Sequence, residues 1–379
     1  MQYNPKMKSA DMFEQFSPTN KDSWKNQIEK DLKGKPYSEL IWNLNNEQSF
    51  EPFYTKEEIG QTSPLASGSG NNWQISEQIT VVDCRKANAT ALEGLLGGAD
   101  ALEINISKNL SSADMAALFD GIELPIISVH FNLETDDLEL VESVLKHFSN
   151  QVTAREFNPA EIRGSISYYS ADKPEIWEKI GRLMSWAKTA LPGFQLLAVG
   201  ADTQLDAEDK LLTCLENAVV AMDKLSDLGM PVHEIHKHIR FRLPIGKQYF
   251  VEIANIRALK LLWLHVQKAY KIGGLETPPI SAAFDNYSYD NEQNTNMIRA
   301  TTMALSATIG GVDCLIVKPS DEKGETAFQR RIARNVQHLL KMESYIDRVA
   351  DPAAGAYYIE KMTSEIAARV WEKFISRQA

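Results

Sequence analysis

Beyond Trp73 the chain alternates between short runs rich in Val, Ile and Phe and longer segments whose apolar residues recur every three or four positions. The first pattern belongs to strands and the second to amphipathic helices. Eight short runs stand out: Gln78 to Cys84, Ala101 to Ile106, Pro125 to Phe131, Ile162 to Tyr168, Phe194 to Val199, His238 to Leu243, Ile280 to Asp285 and Asp313 to Lys318. Each is followed by a predicted helix, in order Ala87 to Leu96, Ser112 to Phe119, Asp136 to Phe148, Pro174 to Ala190, Ala207 to Leu228, Lys247 to Tyr270, Gln293 to Ile309 and Thr326 to Met342. Glycines such as Gly97-Gly98, Gly229 and Gly310-Gly311 stand where these helices should stop. Strands covered on both faces read as nearly continuous apolar runs, and parallel neighbours need a crossover helix. Eight such units in series predict an α/β fold, a closed (β/α)8 TIM barrel. An open doubly wound sheet is the alternative. No G-x-G-x-x-G follows a strand and no G-x-x-x-x-G-K-[ST] occurs, which weakens its nucleotide-binding form.

The first 72 residues are different. A polar helix is predicted over Lys21 to Leu32, then an aromatic segment, Phe50-Glu-Pro-Phe-Tyr54, and a loop over Gly60 to Gly70. Phe13, Phe16, Trp24, Tyr37, Trp42, Phe50, Phe53 and Tyr54 follow no period that would let them bury one another. The expectation is an N-terminal arm, residues 1–72, that lays these rings on another surface, with Trp24, Trp42, Phe53 and Tyr54 as candidates for partner contact. Residues 73–345 then form the barrel, and 346–379 begin a linker. There Asp351 to Tyr358 reads as a turn and a short extended piece, followed by a helix capped by Thr363.

The 51 acidic and 40 basic residues leave a net charge of -11, so an overall attraction to nucleic acid or anionic membrane is missing. Apolar stretches fall far short of the roughly 18 residues of a membrane span, and Met1 to Phe16 lacks an apolar signal core. A cytoplasmic location is expected. Cys84, Cys214 and Cys314 are odd in number and widely spaced, which excludes a disulfide framework and any C-x-x-C site.

In a barrel, chemistry gathers at the C-terminal strand ends. Those ends offer Asp83 and Arg85, Asn105 and Ser107, His130 and Asn132, Tyr168 and Tyr169, Gly200 and Asp202, Arg242, Asp285 to Tyr287, and Lys318. Of these, Asp83, Arg85, His130, Asn132, Arg242, Asp285, Tyr287 and Lys318 are the candidate site residues. They are isolated cations, amides and one histidine rather than an acid-base pair. His233, His236 and His238 resemble a metal cluster, but Pro231 places the start of that run in a loop and His238 begins a strand, so the imidazoles share no helical face. Asp202, Asp206, Glu208 and Asp209 read as the solvated start of a helix.

Several long runs carry a family likeness. Phe50-Glu-Pro-Phe-Tyr-Thr55, Arg257-Ala-Leu-Lys-Leu-Leu-Trp263, Asn296-Met-Ile-Arg-Ala-Thr-Thr302, the run from Arg331 to Ser344 and Asp351-Pro-Ala-Ala-Gly-Ala-Tyr-Tyr-Ile-Glu360 resemble the acyl-CoA mutase family, best known from methylmalonyl-CoA mutase. The resemblance implies a barrel through which a CoA tail threads, followed in complete chains by a cobalamin domain. Catalytic members carry W-T-I-R-Q-Y, whose tyrosine lies over the reacting acyl group; here Trp73-Gln-Ile-Ser-Glu-Gln78 has Gln78 in that place. They carry a G-Y-H-M-Q histidine that binds the thioester carbonyl; the matching Leu197-Ala-Val-Gly-Ala201 has none. The cobalamin-ligating D-x-H-x-x-G run does not occur in the 379 residues. These departures resemble the small, non-catalytic subunit of a heterodimeric mutase. That implies a large catalytic subunit as partner, adenosylcobalamin held there and not by this chain, acyl-CoA met only through the complex, no metal, and no catalysis by the chain itself. The alternative is an acyl-CoA-binding barrel with its own substrate or regulatory role. A further expectation is that Ile104, Ile127, Phe131, Phe241 and Phe284 point inward and narrow the barrel axis against CoA.

Overall fold

The structure, a computed structural model, describes residues 19–45, 48–59, 65, 70–168, 174–201, 204–285, 287–320 and 326–378. Phe13, Phe16, Tyr169, Asp202 and most of the 60–70 loop lie outside the described residues. The chain divides into two compact units, 1–62 and 63–379.

The first unit holds a helix, Lys21–Asp31, capped by Asn20, whose side chain accepts from the Ser23 N–H at 2.9 Å. A two-residue antiparallel ladder joins Trp42–Asn43 to Ser49–Phe50. The rings are not as friendless as their spacing suggests. Trp24 packs on Phe53 with centroids 3.7 Å apart, Trp42 stacks on Phe50 at 5.9 Å, and Lys25 lies over Tyr37 at 4.2 Å. Phe50 is fully buried, whereas Trp24 and Trp42 remain 44% and 37% exposed. The expectation that these aromatics bury nothing of each other is therefore corrected: hairpin and helix bring together residues that no single period relates.

The second unit is the (β/α)8 barrel. Its strands are Gln74–Thr80, Ala101–Asn105, Ser128–Asn132, Arg163–Ser167, the interrupted pair Phe194–Gln195 and Leu197–Gly200, Ile239–Ile245, Ile280–Phe284 and Cys314–Ile316. All pair in parallel and in chain order, and the eighth returns to the first through Cys314 opposite Gln74. The fifth strand closes the ring in two half-steps. Phe194 and Gln195 pair with Gly164 and Ser165 of the fourth strand, while Leu197 to Gly200 pair with Ile239 to Arg242 of the sixth. Gly164 makes the first half-step possible, because a Cβ there would sit 1.9 Å from the Val129 carbonyl and 2.5 Å from the Phe194 ring.

The crossover helices run close to their predicted bounds, Pro174–Ala190 identically. Side chains hold the first turns of several of them. Asp83 accepts from the Lys86 N–H, Ser111 with Asp114 and Thr326 with Gln329 form reciprocal capping boxes, and Gly311 ends the Gln293–Gly310 helix at a φ of +86°.

The apolar core lies between sheet and helices. Phe131 contacts Phe148 of the Leu138–Ala154 helix at 5.1 Å and Phe119 at 6.2 Å, and Phe241 meets Trp263 of the Tyr249–Ala269 helix at 5.2 Å. Each fully buried ring contributes about 2–3 kcal/mol of burial. Phe131 and Phe241 thus face outward, opposite to their expected direction, and in alternation with them polar residues face the axis.

The first strand begins four residues earlier than expected. Val81 follows it in a loop, and Asp83 and Cys84 start a helix. The strand is polar because it is clamped from outside the sheet: Glu77 accepts from Arg334 at 2.8 Å, and the Trp73 indole donates to Gln337 at 3.1 Å. Residues 357–378 form a 22-residue helix lying on the barrel, with Trp371 against His265 and Lys373 bound to the buried Glu208 at 2.6 Å. That helix starts at Tyr357, after a turn with Gly355 at φ +78°, so Thr363 is an interior buried residue and not a cap. Glu208 likewise is buried rather than solvated.

Candidate functional site

The inward faces of the strands carry an unusual share of polar side chains, arranged in three tiers. At the bottom the Gln74 amide donates to Ser128 at 2.8 Å. In the middle His130 Nδ1 lies 2.9 Å from the Ser165 hydroxyl, and Arg240 donates to Ser281 at 2.6 Å and to Gln195 at 3.3 Å. At the top Arg242 reaches across the axis. Its Nη2 donates to Glu103 at 2.5 Å, and its Nη1 donates to Asn132 at 2.7 Å and Ser167 at 3.0 Å. Asn132 in turn donates to Asn105 at 3.0 Å. Glu103 is buried, so the Arg242 guanidinium compensates a carboxylate that would otherwise be very costly there.

Above this tier a cavity of about 820 Å³ opens at the C-terminal ends of the strands. Its polar lining includes Gln78, Glu103, Asn105, Asn132, Glu134, Ser167, Asn217, Arg242, Ser281 and Lys318. Toward the interrupted fifth strand the wall becomes apolar, with Trp177, Ile180, Leu197, Val199 and Val220. Tyr168 also lines it. The phenolic oxygen is buried and has no hydrogen-bond partner among the described residues, and burial pushes its pKa up, so it stays protonated. The site can therefore receive a molecule with a polar end over Arg242 and an apolar body toward Trp177.

Of the candidate residues, the structure gathers Asn132, Arg242 and Lys318 on this cavity. Asp83 is a helix cap, and Arg85 lies in the turn that it caps. His130 sits one tier lower, its imidazole held neutral by burial and by the charges of Arg240 and Arg242. Asp285 accepts from the Tyr287 N–H at 2.9 Å and from the Ser288 hydroxyl at 2.6 Å, which shapes its own loop; the exposed Tyr287 hydroxyl accepts from Gln204 at 2.6 Å. The histidine cluster is corrected in detail. His233 and His236 lie on a short helix, Val232–Lys237, because Pro231 initiates it instead of prolonging a loop, and His238 is its C-cap. His238 Nδ1 is 3.1 Å from the Phe194 carbonyl, and His236 packs beside the Trp263 ring. Among the described residues no three His, Cys, Asp or Glu side chains converge as a metal site.

Glu103 and Ser167 were missed by the reading of strand ends. The signal was present for Glu103, since a lone carboxylate in the apolar run Ala101 to Ile106 requires a buried cation opposite it. Gln78 and the segment Leu197 to Ala201, which the motif resemblance sets against the family's tyrosine and histidine, border the same cavity.

Comparison with known proteins agrees with the likeness read from the motifs. The family model described as methylmalonyl-CoA mutase matches residues 105–377. A methylmalonyl-CoA mutase small subunit from Porphyromonas gingivalis is 31% identical over 96% of this chain, and one from Streptomyces virginiae is 25% identical over 95%. The chain spans 64% of the length of each. The mitochondrial methylmalonyl-CoA mutase of Homo sapiens is 23% identical over 90% of this chain, which spans 53% of it.

Proposed function

The chain belongs to the methylmalonyl-CoA mutase family, and from that premise we propose that it is the barrel portion of a non-catalytic small subunit that supports a large catalytic subunit. The complex would interconvert methylmalonyl-CoA and succinyl-CoA in the cytoplasm. One observation carries this reading. Gln78 and Leu197 to Ala201, which the resemblance sets against the tyrosine and histidine of active members, border a single cavity here. Radical rearrangement needs hydrogen-bonding groups on the acyl carbonyl inside a sealed pocket. An amide and an aliphatic strand segment supply neither a phenol nor an imidazole at those places.

We assign adenosylcobalamin to the large subunit; the D-x-H-x-x-G run that the resemblance associates with cobalt ligation does not occur in these 379 residues. The exposed rings of Trp24 and Trp42 suit contact with that subunit, as large amphipathic side chains do at interfaces.

Co-expression with a large mutase subunit tests the proposal. The expected result is a stable complex in which mutase activity depends on the large subunit's own site and survives Gln78→Ala in this chain. Turnover by this chain alone, or no association, overturns it. A second reading, an acyl-CoA-binding barrel, is favoured by the open cavity with Arg242 at its floor and the Tyr168 hydroxyl in its wall. Calorimetric titration with CoA and acyl-CoA separates the two: micromolar binding by this chain favours the second.

A further inference from the structure

The middle tier of the barrel holds a buried charge with no ion-pair partner among the described residues. Arg240 is only 6% exposed. Its Nε and Nη1 donate to the neutral oxygens of Ser281 and Gln195, its Nη2 is buried without a partner, and no carboxylate among the described residues lies within ion-pair distance of it. The neighbouring cation Arg242 is already paired with Glu103. A guanidinium cannot escape burial by losing its proton, as a lysine or histidine does, and an isolated buried cation is too costly to leave uncompensated.

The groups around it are arranged to supply donors. Register places His130 beside Ser165 and Ser165 beside Gln195, and Gln195 and Ser281 bracket Arg240 from the strands on either side. His130, Ser165, Gln195, Arg240 and Ser281 thus form one belt on the inner face of five consecutive strands. His130 Nε2 is a second buried atom on this belt without a partner. The 2.9 Å contact of Nδ1 with Ser165 is compatible with either tautomer; the one in which the Ser165 hydroxyl donates to Nδ1 puts the proton on Nε2 and makes it a donor, and that is the tautomer an anion would select. A guanidinium N–H and an imidazole N–H, both buried and both unused, match the needs of an anion; a water molecule could satisfy their hydrogen bonds but not the net charge.

We propose that the barrel axis binds a small monovalent anion, a halide or a short carboxylate, on the belt formed by His130 and Arg240, beneath the Arg242–Glu103 bridge. The anion is a structural counter-charge, and the site exists whether or not the large subunit is bound.

Thermal unfolding of the full chain at constant ionic strength tests this, with chloride, bromide or formate exchanged against bulky gluconate. At a hundredfold excess over Kd the small anions should raise Tm by about 3 °C, saturating with concentration, while gluconate should not. Arg240→Met removes the charge and keeps the bulk. It should unfold at a temperature independent of the anion, and Arg240→Gln should behave likewise. Equal chloride responses in wild type and a folded Arg240 variant overturn the proposal. Should both variants fail to fold, bromide soaked into crystals of the wild-type protein decides: an anomalous peak within hydrogen-bond distance of Arg240 Nη2 supports the site, and water alone at that place overturns it.

Discussion

Arg257 Nη2 donates to Glu360 Oε1 at 2.9 Å across 103 residues of chain, and its Nη1 holds Asp351. All three residues fall within the two runs, Arg257 to Trp263 and Asp351 to Glu360, that carry part of the family likeness. The likeness is thus written here into joints of the scaffold, where a helix on the barrel wall is riveted to the turn and helix that follow the eighth unit. Arg257 is 2% exposed, so Arg257→Met would strand two carboxylates in a poorly hydrated place. A loss of roughly 3–5 kcal/mol is expected, read as a lower urea midpoint with an unchanged slope. Replacing all three together with apolar residues should cost far less than the single change.

Glu252 gives a pH dependence with a definite sign. Burial, reinforced by Asp285 and opposed by Lys210 and the Gly246 N–H, raises its pKa from 4.5 to about 7. The native state therefore holds this proton over a range where the unfolded chain has released it. Its contribution is fully present below pH 4.5, falls as pH rises toward 7, and is constant above. Glu252→Gln should remove that decline. In chemical denaturation, the variant should gain on wild type by roughly 3 kcal/mol between pH 4 and pH 8. A difference that does not change with pH would show that this carboxyl titrates normally.

Gly164→Ala tests the half-step by which the ring closes. The added methyl would meet the Val129 carbonyl and the Phe194 ring together, and a backbone oxygen cannot move aside without tearing the ladder between the third and fourth strands. A destabilisation of about 3 kcal/mol or more is expected by calorimetry, at the upper end for overpacking. Adding Phe194→Leu should recover only part of it, because the carbonyl contact remains.

The proposed assembly role predicts that Trp24→Ala and Trp42→Ala each weaken association with the large subunit by about 2 kcal/mol or more, while leaving barrel unfolding unchanged. Deleting residues 1–60 should abolish association and leave the barrel folded. Surface plasmon resonance against the large subunit, with circular dichroism on the same samples, checks both. Loss of the barrel's fold on deletion would mean that this unit belongs to the core.

Eight strand-helix units were readable because the helices carry apolar stripes and several, among them Cys84–Leu96, Ser112–Leu118 and Ala207–Asp227, a side-chain cap, both local features. What escaped was set by distance. The first strand was misplaced by four residues because Glu77 is tolerable in a buried strand only opposite cations, Arg334 and Arg330, that lie some 250 residues away. The direction of Phe131 and Phe241 escaped because both faces of a barrel strand are buried, so alternation loses its sign; the polar tiers settle it only once the register is known. Arg242 and Asn132 could be named from strand ends, but that they share one guanidinium network with Glu103 and Ser167 is a property of the closed ring.

The clamp on the first strand also bears on how the protein is made. Trp73 and Glu77 find Gln337 and Arg334 only after some 260 further residues have left the ribosome, and the strand's eighth-strand neighbour emerges little sooner. At about 5–20 residues per second that is a wait of roughly 13 to 50 seconds. During it the nascent chain carries an open parallel sheet whose leading edge, Gln74–Thr80, is bare on one side. Its Ser76, Glu77 and Gln78 keep that edge hydrophilic, so the polar residues that make the strand hard to recognise also guard it against mispairing until the ring can shut.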